Sequence, residues 1–326
     1  MSMNGHFAIA IEEHYWDKEL SETFASGTAR VRRQDSVSTR LFQYGEERIK
    51  EMDRAGVDFQ VLSHGAPSTQ RLDAESAVKL AAGVNDRLAA IVKAYPKRLG
   101  AFGVLPSADP KAAADELERC VDKLGFQGAM VHGPSNGVFM DEEPFWPIYE
   151  RAQALDVPIY FHPAVPMKVV ADAYYARYQK DFPSILQSGW GFTVETATQG
   201  IRLVLSGVFD KYPKFKAILG HMGESLPFSL WRIDQSMSRP GNKPMPRSFK
   251  DYFCEHFWIT TSGNFSNPAL LCSVMEMGVD RILFAVDYPM VDHEPAEQWV
   301  PTIPLCKEDV AKIMHGNARR LLKLKL

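Results

Sequence analysis

The chain has 326 residues, of which 45% are hydrophobic and 24% are charged, as in an average soluble globular protein. Its 40 acidic and 37 basic residues give a net charge of −3, which argues against a general nucleic-acid-binding protein. No apolar run is long enough to span a membrane, and the first residues lack the features of a secretory signal. The four cysteines form no Cys-x-x-Cys pair, which favours reduced thiols and a cytoplasmic location.

Short apolar segments alternate with longer segments of helical periodicity along the chain. We predict eight strands, at 7–15, 58–64, 99–105, 128–132, 158–162, 215–221, 257–262 and 282–287. Most intervening segments place apolar residues at helical spacing, and Asp109 followed by Pro110 predicts a capped helix start. Strands that alternate with helices are typical of parallel sheets. Eight such units indicate an α/β fold of the (β/α)8 TIM-barrel type rather than an open doubly wound sheet.

We predict that residues 1–326 form a single domain of this type, distorted by two long connections. One connection, 16–44, follows strand 1, and the other, 164–194, follows strand 5. Both leave the carboxyl ends of the strands, where active sites of such barrels are built. We therefore expect these connections to form a lid over a site or a contact between subunits.

Polar side chains cluster at the ends of the predicted strands. Five histidines and one aspartate occupy these ends, namely His14, His64, His132, His162, His221 and Asp287. In a closed barrel these ends face the same side and converge. Glu12 and His14 are two residues apart on strand 1 and therefore share a face. Together with His162 and Asp287 they offer mixed oxygen and nitrogen ligands, which suit one divalent ion such as Zn2+ or Mn2+.

A further pair of polar residues follows strand 6. His221 ends that strand, and Glu224 lies three residues later, where its carboxylate can accept a hydrogen bond from one imidazole nitrogen and fix the tautomer. Glu224 can also act as a first-turn carboxylate at a helix N-terminus, and the two roles are compatible. His64 and His132 either line the pocket or bond a neighbouring carbonyl, and the sequence leaves both interpretations open.

These motifs resemble the amidohydrolase-2 family of the metal-dependent amidohydrolase superfamily, in its branch of non-oxidative decarboxylases. The matching segments follow one another along nearly the whole chain and are 11–14, 160–163, 219–224, 261–265 and 287–289. The resemblance implies a distorted barrel with one divalent ion held by Glu12, His14, His162 and Asp287. It also makes His221, supported by Glu224, a catalytic histidine beside the ion.

The resemblance extends to substrate recognition and assembly. Arg232 matches a family arginine that meets either the substrate anion or a neighbouring subunit, and the family implies a homodimer or homotetramer. At His132 the chain departs from the branch that acts on γ-resorcylate, where asparagine is found. Because the loop after strand 4 shapes the ring pocket, we place His132 among the substrate-binding residues.

The resemblance implies that the protein removes CO2 from a hydroxylated aromatic acid similar to γ-resorcylate. The ion would chelate the carboxylate and the ortho oxygen of the substrate, and Asp287 would protonate the ring carbon that bears the carboxylate. The alternative is a one-metal hydrolase, for example a lactonase, in which Asp287 deprotonates a metal-bound water. A two-metal hydrolase is disfavoured, because His132 stands where such enzymes use a modified lysine.

Overall fold

The computed structural model describes residues 3–25 and 35–326. All strand neighbours within these ranges pair in parallel, in two sheets of order β1-β2-β3 and β4 to β9. The strands are β1 (Ile9–Tyr15), β2 (Phe59–His64), β3 (Leu99–Ala101), β4 (Gly103–Val104), β5 (Ala129–His132), β6 (Pro158–His162), β7 (Lys216–Leu219), β8 (Phe257–Thr260) and β9 (Ile282–Leu283).

Backbone hydrogen bonds join the two sheets into one barrel. β3 and β4 are a single strand interrupted at Phe102, whose amide donates to the carbonyl oxygen of Leu62 at 2.9 Å. On the other side, the amide of Ile11 in β1 donates to the carbonyl of Phe284, just after β9, at 3.3 Å. With β3 and β4 counted together, eight strands therefore close on themselves, and the predicted TIM barrel is confirmed.

Helices connect successive strands, as predicted from the periodicity. Those of seven or more residues are α1 (Lys18–Ala25), α2 (Asp35–Leu41), α3 (Glu46–Ala55), α4 (Ala74–Ala94), α5 (Pro110–Asp122), α6 (Trp146–Leu155), α7 (Gly191–Ser206), α8 (Leu226–Met237), α9 (Phe249–His256), α10 (Asn267–Met277) and α11 (His293–Trp299). Shorter helical segments are Glu143–Phe145, Lys168–Val170, Ala171–Tyr175, Ala176–Gln179, Pro183–Leu186, Val208–Lys211, His221–Glu224, Val279–Arg281, Val300–Thr302, Lys307–Ala311, Lys312–Gly316 and Asn317–Leu321. The expected cap is present, since the Asp109 side chain accepts the amide of Ala112 at 3.0 Å.

The strands are buried on both faces, and their two faces pack into different cores. Ile9 and Ile11 belong to a cluster that fills the barrel interior, whereas the alternate residues Ala8 and Ala10 pack in the larger cluster toward the helices. The pairing of β1 shifts register between Ala10 and Glu13, and beyond Ile11 the strand places Glu12 on the inner side of the barrel mouth, where it contacts Tyr160. The barrel therefore offers a solid floor with polar side chains above it.

Both long connections leave the carboxyl ends of the strands. The first contains α1 and α2, and residues 26–34 of the predicted segment lie outside the described residues. The second follows β6 and consists of short helical turns between Lys168 and Leu186. No helix among the described residues is both long and apolar enough to cross a membrane.

Candidate metal centre and active site

Four side chains converge at the carboxyl end of the barrel. Glu12 and His14 project from β1, His162 ends β6, and Asp287 follows β9. One ligand atom from each lies within 4.8 Å of the other three. His14 Nε2 is 3.2 Å from Asp287 Oδ1, and His162 Nε2 is 3.5 Å from Glu12 Oε1. The structure thus brings together the four residues that the sequence analysis proposed as ligands.

The donor atoms of this group fit a divalent cation. Glu12 Oε1, His14 Nε2 and Asp287 Oδ1 are buried and have no hydrogen-bond partner in the protein. Leaving a buried polar atom unpaired costs about 1–3 kcal/mol. Three such atoms close to one another therefore indicate that they share a partner, such as a cation. Two carboxylate oxygens and two imidazole nitrogens are a ligand set that Zn2+ and Mn2+ both accept.

Hydroxyl groups orient Glu12 so that one of its oxygens faces the centre. Glu12 Oε2 accepts hydrogen bonds from Tyr160, from Ser262 and from Thr260, the last at 3.1 Å. This leaves Oε1 free for a metal. These three residues were not predicted as part of the site, although Tyr160 lies two positions before His162 and must share its face of the strand.

The hydrogen bonds of the two ligand histidines free the nitrogens that face the centre. His162 Nδ1 donates to the carbonyl oxygen of Pro163 at 2.8 Å, and burial lowers the pKa of His162 well below its ordinary value. His162 is therefore neutral, with the lone pair on Nε2. His14 Nδ1 lies 3.1 Å from Ser63 Oγ, which can accept its proton. Such partners fix the tautomer and ring orientation of metal-bound histidines.

His132 and His64 lie behind the ligand group rather than on the cavity wall. His132 Nδ1 is 2.9 Å from His162 Nδ1, and His132 Nε2 donates to the carbonyl oxygen of His64 at 2.8 Å. His64 Nδ1 donates to the carbonyl of Gly65 at 2.8 Å, and burial lowers the pKa of His64 to about 4. Of the two interpretations left open, bonding to neighbouring carbonyls describes both histidines. A contact between His132 and substrate stays a prediction, and the observed polar contacts of the His132 ring are His162 and the carbonyl oxygen of His64.

His221 stands beside the ligand group in a charged environment. Its Nδ1 donates to Glu224 Oε1 at 2.7 Å, and its Nε2 is 3.8 Å from Asp287 Oδ2. Burial lowers the pKa of His221, but the carboxylates of Glu224 and Glu12 outweigh burial and raise it well above its ordinary value. Burial raises the pKa of Asp287, but the imidazoles of His14 and His221 outweigh it and lower the pKa. In the protein alone, both pKa shifts therefore favour the charged forms of His221 and Asp287.

A cavity of about 560 Å³ opens onto these groups, within the usual size range of small-molecule sites. Its other walls are formed by Val37, Ala66, Gln187, Ser188, Phe192, Thr193, Glu224, Ser225, Gly263, Asn264, Met290 and Val291. Neither lysine nor arginine is among the described residues that line it. A substrate anion would therefore have to be met by a bound cation and by His221.

Arg232 does not reach this cavity within its own chain. It lies on α8 and is exposed to solvent, and it is not one of the lining residues. Of the two roles proposed for it, contact with a neighbouring subunit agrees with this position. Both roles stay predictions.

We expect a bound divalent ion to stabilise the folded protein. An ion that binds only the folded state adds about 2.7 kcal/mol to the free energy of unfolding when its concentration is 100 times its Kd. Thermal melts of chelator-treated protein, with and without Mn2+, measure this effect. In Glu12→Gln, which removes the charge of one ligand, the shift should shrink. A melting temperature that does not respond to any Mn2+ concentration would contradict the metal centre.

Comparison with known proteins identifies related sequences and solved structures. The family model described as Amidohydrolase matches residues 9–324. The gamma-resorcylate decarboxylase of Polaromonas sp. strain JS666 is 40% identical over 99% of this chain and 99% of its own length. A crystal structure of 2,6-dihydroxybenzoate decarboxylase complexed with 2,6-dihydroxybenzoate matches with a TM-score of 0.88 at 38% identity, covering 98% of this chain and 100% of that chain.

A second solved structure is similar and contains a metal. It is a dihydroxybenzoic acid decarboxylase from Polaromonas sp. JS666 with bound manganese and the inhibitor 2-nitroresorcinol. It matches with a TM-score of 0.89 at 39% identity, and the match covers 98% of each chain. Since the family model spans most of the sequence and a 40% identical relative matches almost end to end, the chain belongs to the amidohydrolase family.

Proposed function

We propose that this protein is a metal-dependent decarboxylase that releases CO2 from an ortho-hydroxylated aromatic acid of the γ-resorcylate kind. The observation that carries the proposal is the position of the Asp287–His221 pair, which lies beside a group of unpaired ligand atoms on one wall of the cavity. Relatives that match over nearly their full length are named as decarboxylases of dihydroxybenzoates, which supports the same reaction class.

Glu12, His14, His162 and Asp287 would hold one divalent ion. We place Mn2+ first, because a similar structure contains manganese, although Zn2+ suits the same donors. When bound, the ion supplies positive charge that orients the substrate anion and stabilises negative charge on its oxygens.

Asp287 and His221 would supply the proton that the reaction needs. At rest the proton lies on His221 Nε2, 3.8 Å from Asp287 Oδ2. A substrate anion bound beside Asp287 would raise the pKa of its carboxyl group, so that the proton can pass from His221 to Asp287 and load the acid. Asp287 then delivers it to the ring carbon while the bond to the carboxyl group breaks and its electron pair stays on the ring. The products are CO2 and the arene, and neutral His221 regains its proton from solvent.

Other residues would position the ring and the acid. Glu224 holds the His221 ring by a hydrogen bond to Nδ1, so that Nε2 faces Asp287. Phe192, Met290 and Val291 give the cavity apolar walls that can pack against an aromatic ring and displace water from it. The chain's own residues thus account for orientation, proton storage and exclusion of water.

We further propose that the protein is a homodimer or homotetramer in the cytoplasm. Apolar side chains are exposed on α8 and α10, namely Phe228, Trp231, Leu271 and Met275, which are 84%, 69%, 37% and 84% exposed. Such a patch is typical of protein interfaces. Arg232 lies on α8 and would meet the neighbouring subunit.

The cytoplasmic location is supported by the four cysteines, which are all free, as expected in a reducing compartment.

Product analysis in D2O tests the reaction. With Mn2+ present, γ-resorcylate or another ortho-hydroxylated benzoate should yield CO2 and an arene that carries one deuterium at the carbon that lost the carboxyl group. 4-Hydroxybenzoate, which lacks the ortho hydroxyl, is the matched control and should not react. Ring opening or a new carboxylic acid in place of CO2 would indicate the metal-dependent hydrolase instead.

A further inference from the structure

Asp287 adopts a backbone conformation that the surrounding structure must maintain. Its φ is 73°, in the left-handed region that disfavours any residue with a Cβ atom. The direction of its carboxylate toward His14 and His221 depends on this conformation. The proposed metal centre therefore needs groups that hold the chain at this point.

The two carboxylate oxygens of Glu13 hold the chain on both sides of Asp287. Glu13 lies between two proposed ligands on β1, so its side chain points to the opposite face of the strand. Glu13 Oε1 accepts the amide of Val286 at 2.8 Å, and Oε2 accepts the amide of Tyr288 at 3.3 Å. The amide of Asp287 itself donates to the carbonyl oxygen of Glu12 at 3.0 Å. All three consecutive amides around Asp287 are therefore held by β1.

A buried cation completes this arrangement. Arg48 on α3 is 1% exposed, donates to the carbonyl oxygen of His14 at 2.7 Å and lies 4.7 Å from the ring centre of Tyr288. It also donates to Gln60 Oε1 at 3.2 Å, and Gln60 in turn donates to Glu13 Oε2 at 3.5 Å. The network thus holds the backbone of two ligand-bearing segments, and it offsets only part of the cost of burying Glu13, because burial still raises the pKa of that carboxyl group well above its ordinary value.

We propose that Glu13 is a positioning residue, whose carboxylate fixes Asp287 against His14 by holding the amides on both sides of it and thereby sets the affinity for the divalent ion. The inference rests on the metal centre of the proposed function. Glu13 is fully buried and does not line the cavity. Burying a carboxylate is costly unless hydrogen bonds compensate it, and those of Glu13 fall on the segment that carries a ligand.

The test is the Mn2+ affinity of Glu13→Gln, measured without substrate. Glutamine keeps the shape of the side chain, but its amide nitrogen cannot accept, so one of the two backbone amides loses its acceptor. We expect the Kd for Mn2+ to rise by about 10- to 100-fold, the usual effect of removing an outer partner of a metal ligand. Electron paramagnetic resonance of free Mn2+ gives the Kd.

Asn85→Ala is the matched control. The Asn85 side chain also holds a backbone segment of the barrel, through the amide and the carbonyl of Val104 at 2.8 and 2.9 Å. This variant should melt at a lower temperature with an unchanged Kd for Mn2+. A wild-type Kd in Glu13→Gln, or an equal loss of affinity in Asn85→Ala, would overturn the proposal.

Glu13→Asp answers the same question if Glu13→Gln does not fold. It keeps the carboxyl group but withdraws it by one methylene from both amides, so weaker Mn2+ binding is again expected and a wild-type Kd again overturns the proposal. The outcome is separable from that of the proposed function. A wild-type protein that binds Mn2+ but releases no CO2 would contradict the decarboxylase and not the role of Glu13.

Discussion

Asp287→Asn is expected to lower kcat for CO2 release by about 1,000-fold or more, while the barrel stays folded. A positioned general acid contributes about 100- to 10,000-fold, and an amide cannot supply the proton. The same change removes negative charge from one proposed metal ligand, so part of the loss will be weaker metal binding. Steady-state assays at rising Mn2+ concentrations measure both effects, because excess metal restores only the second.

The matched control for this variant is Asp280→Asn. Asp280 is an exposed aspartate near the opposite end of the barrel, where it forms ion pairs with Lys312 and Arg320. It should keep wild-type turnover, because exposed ion pairs contribute little and this one is remote from the site. Turnover of Asp287→Asn that is fully restored by excess Mn2+ would make Asp287 a ligand only. Near-normal turnover without excess metal would remove it from the mechanism.

The barrel was predictable because buried parallel strands produce continuous apolar runs. Prediction was weaker where a strand is irregular. The run 99–105 is divided at Phe102, and of the run 282–287 only Ile282 and Leu283 form regular strand. Beyond Leu283 the chain turns its polar groups toward β1 and the ligand centre, and the left-handed φ of Asp287 ends the strand pattern. Apolar periodicity carries no signal for such a change.

The ligand group could be proposed from strand ends, whereas its supporting shell depends on distant pairing. Thr260 and Ser262 contact Glu12 across 248 and 250 residues of sequence, and only closure of the barrel brings them there. His132 and His162 both end predicted strands, but their contact follows from the register in which they are opposite each other. The sequence therefore located these polar residues on the correct face without identifying their partners.

The last prediction separates a catalytic histidine from a metal ligand. His221→Asn is expected to lower kcat by about 100- to 10,000-fold while the Mn2+ content stays that of the wild type. The reason is geometric, since His221 is not in the ligand group and its Nε2 faces Asp287 Oδ2 at 3.8 Å. Removing the imidazole removes the proton store but leaves Glu12, His14, His162 and Asp287 in place. Metal analysis and CO2 release on one preparation measure both quantities.

Two companion variants sharpen this comparison. His162→Asn, at a proposed ligand, should lose Mn2+ and turnover together. Glu224→Gln keeps an oxygen that accepts from His221 Nδ1 but removes the carboxylate that helps raise the pKa of His221, so its kcat should fall less than that of His221→Asn. If His221→Asn lost Mn2+ in proportion to activity, His221 would be a fifth ligand. His221 Nε2 also lies 3.6 Å from Glu12 Oε1, which is close enough for His221 to bind the same ion. The experiment therefore decides whether His221 stores a proton or binds the ion.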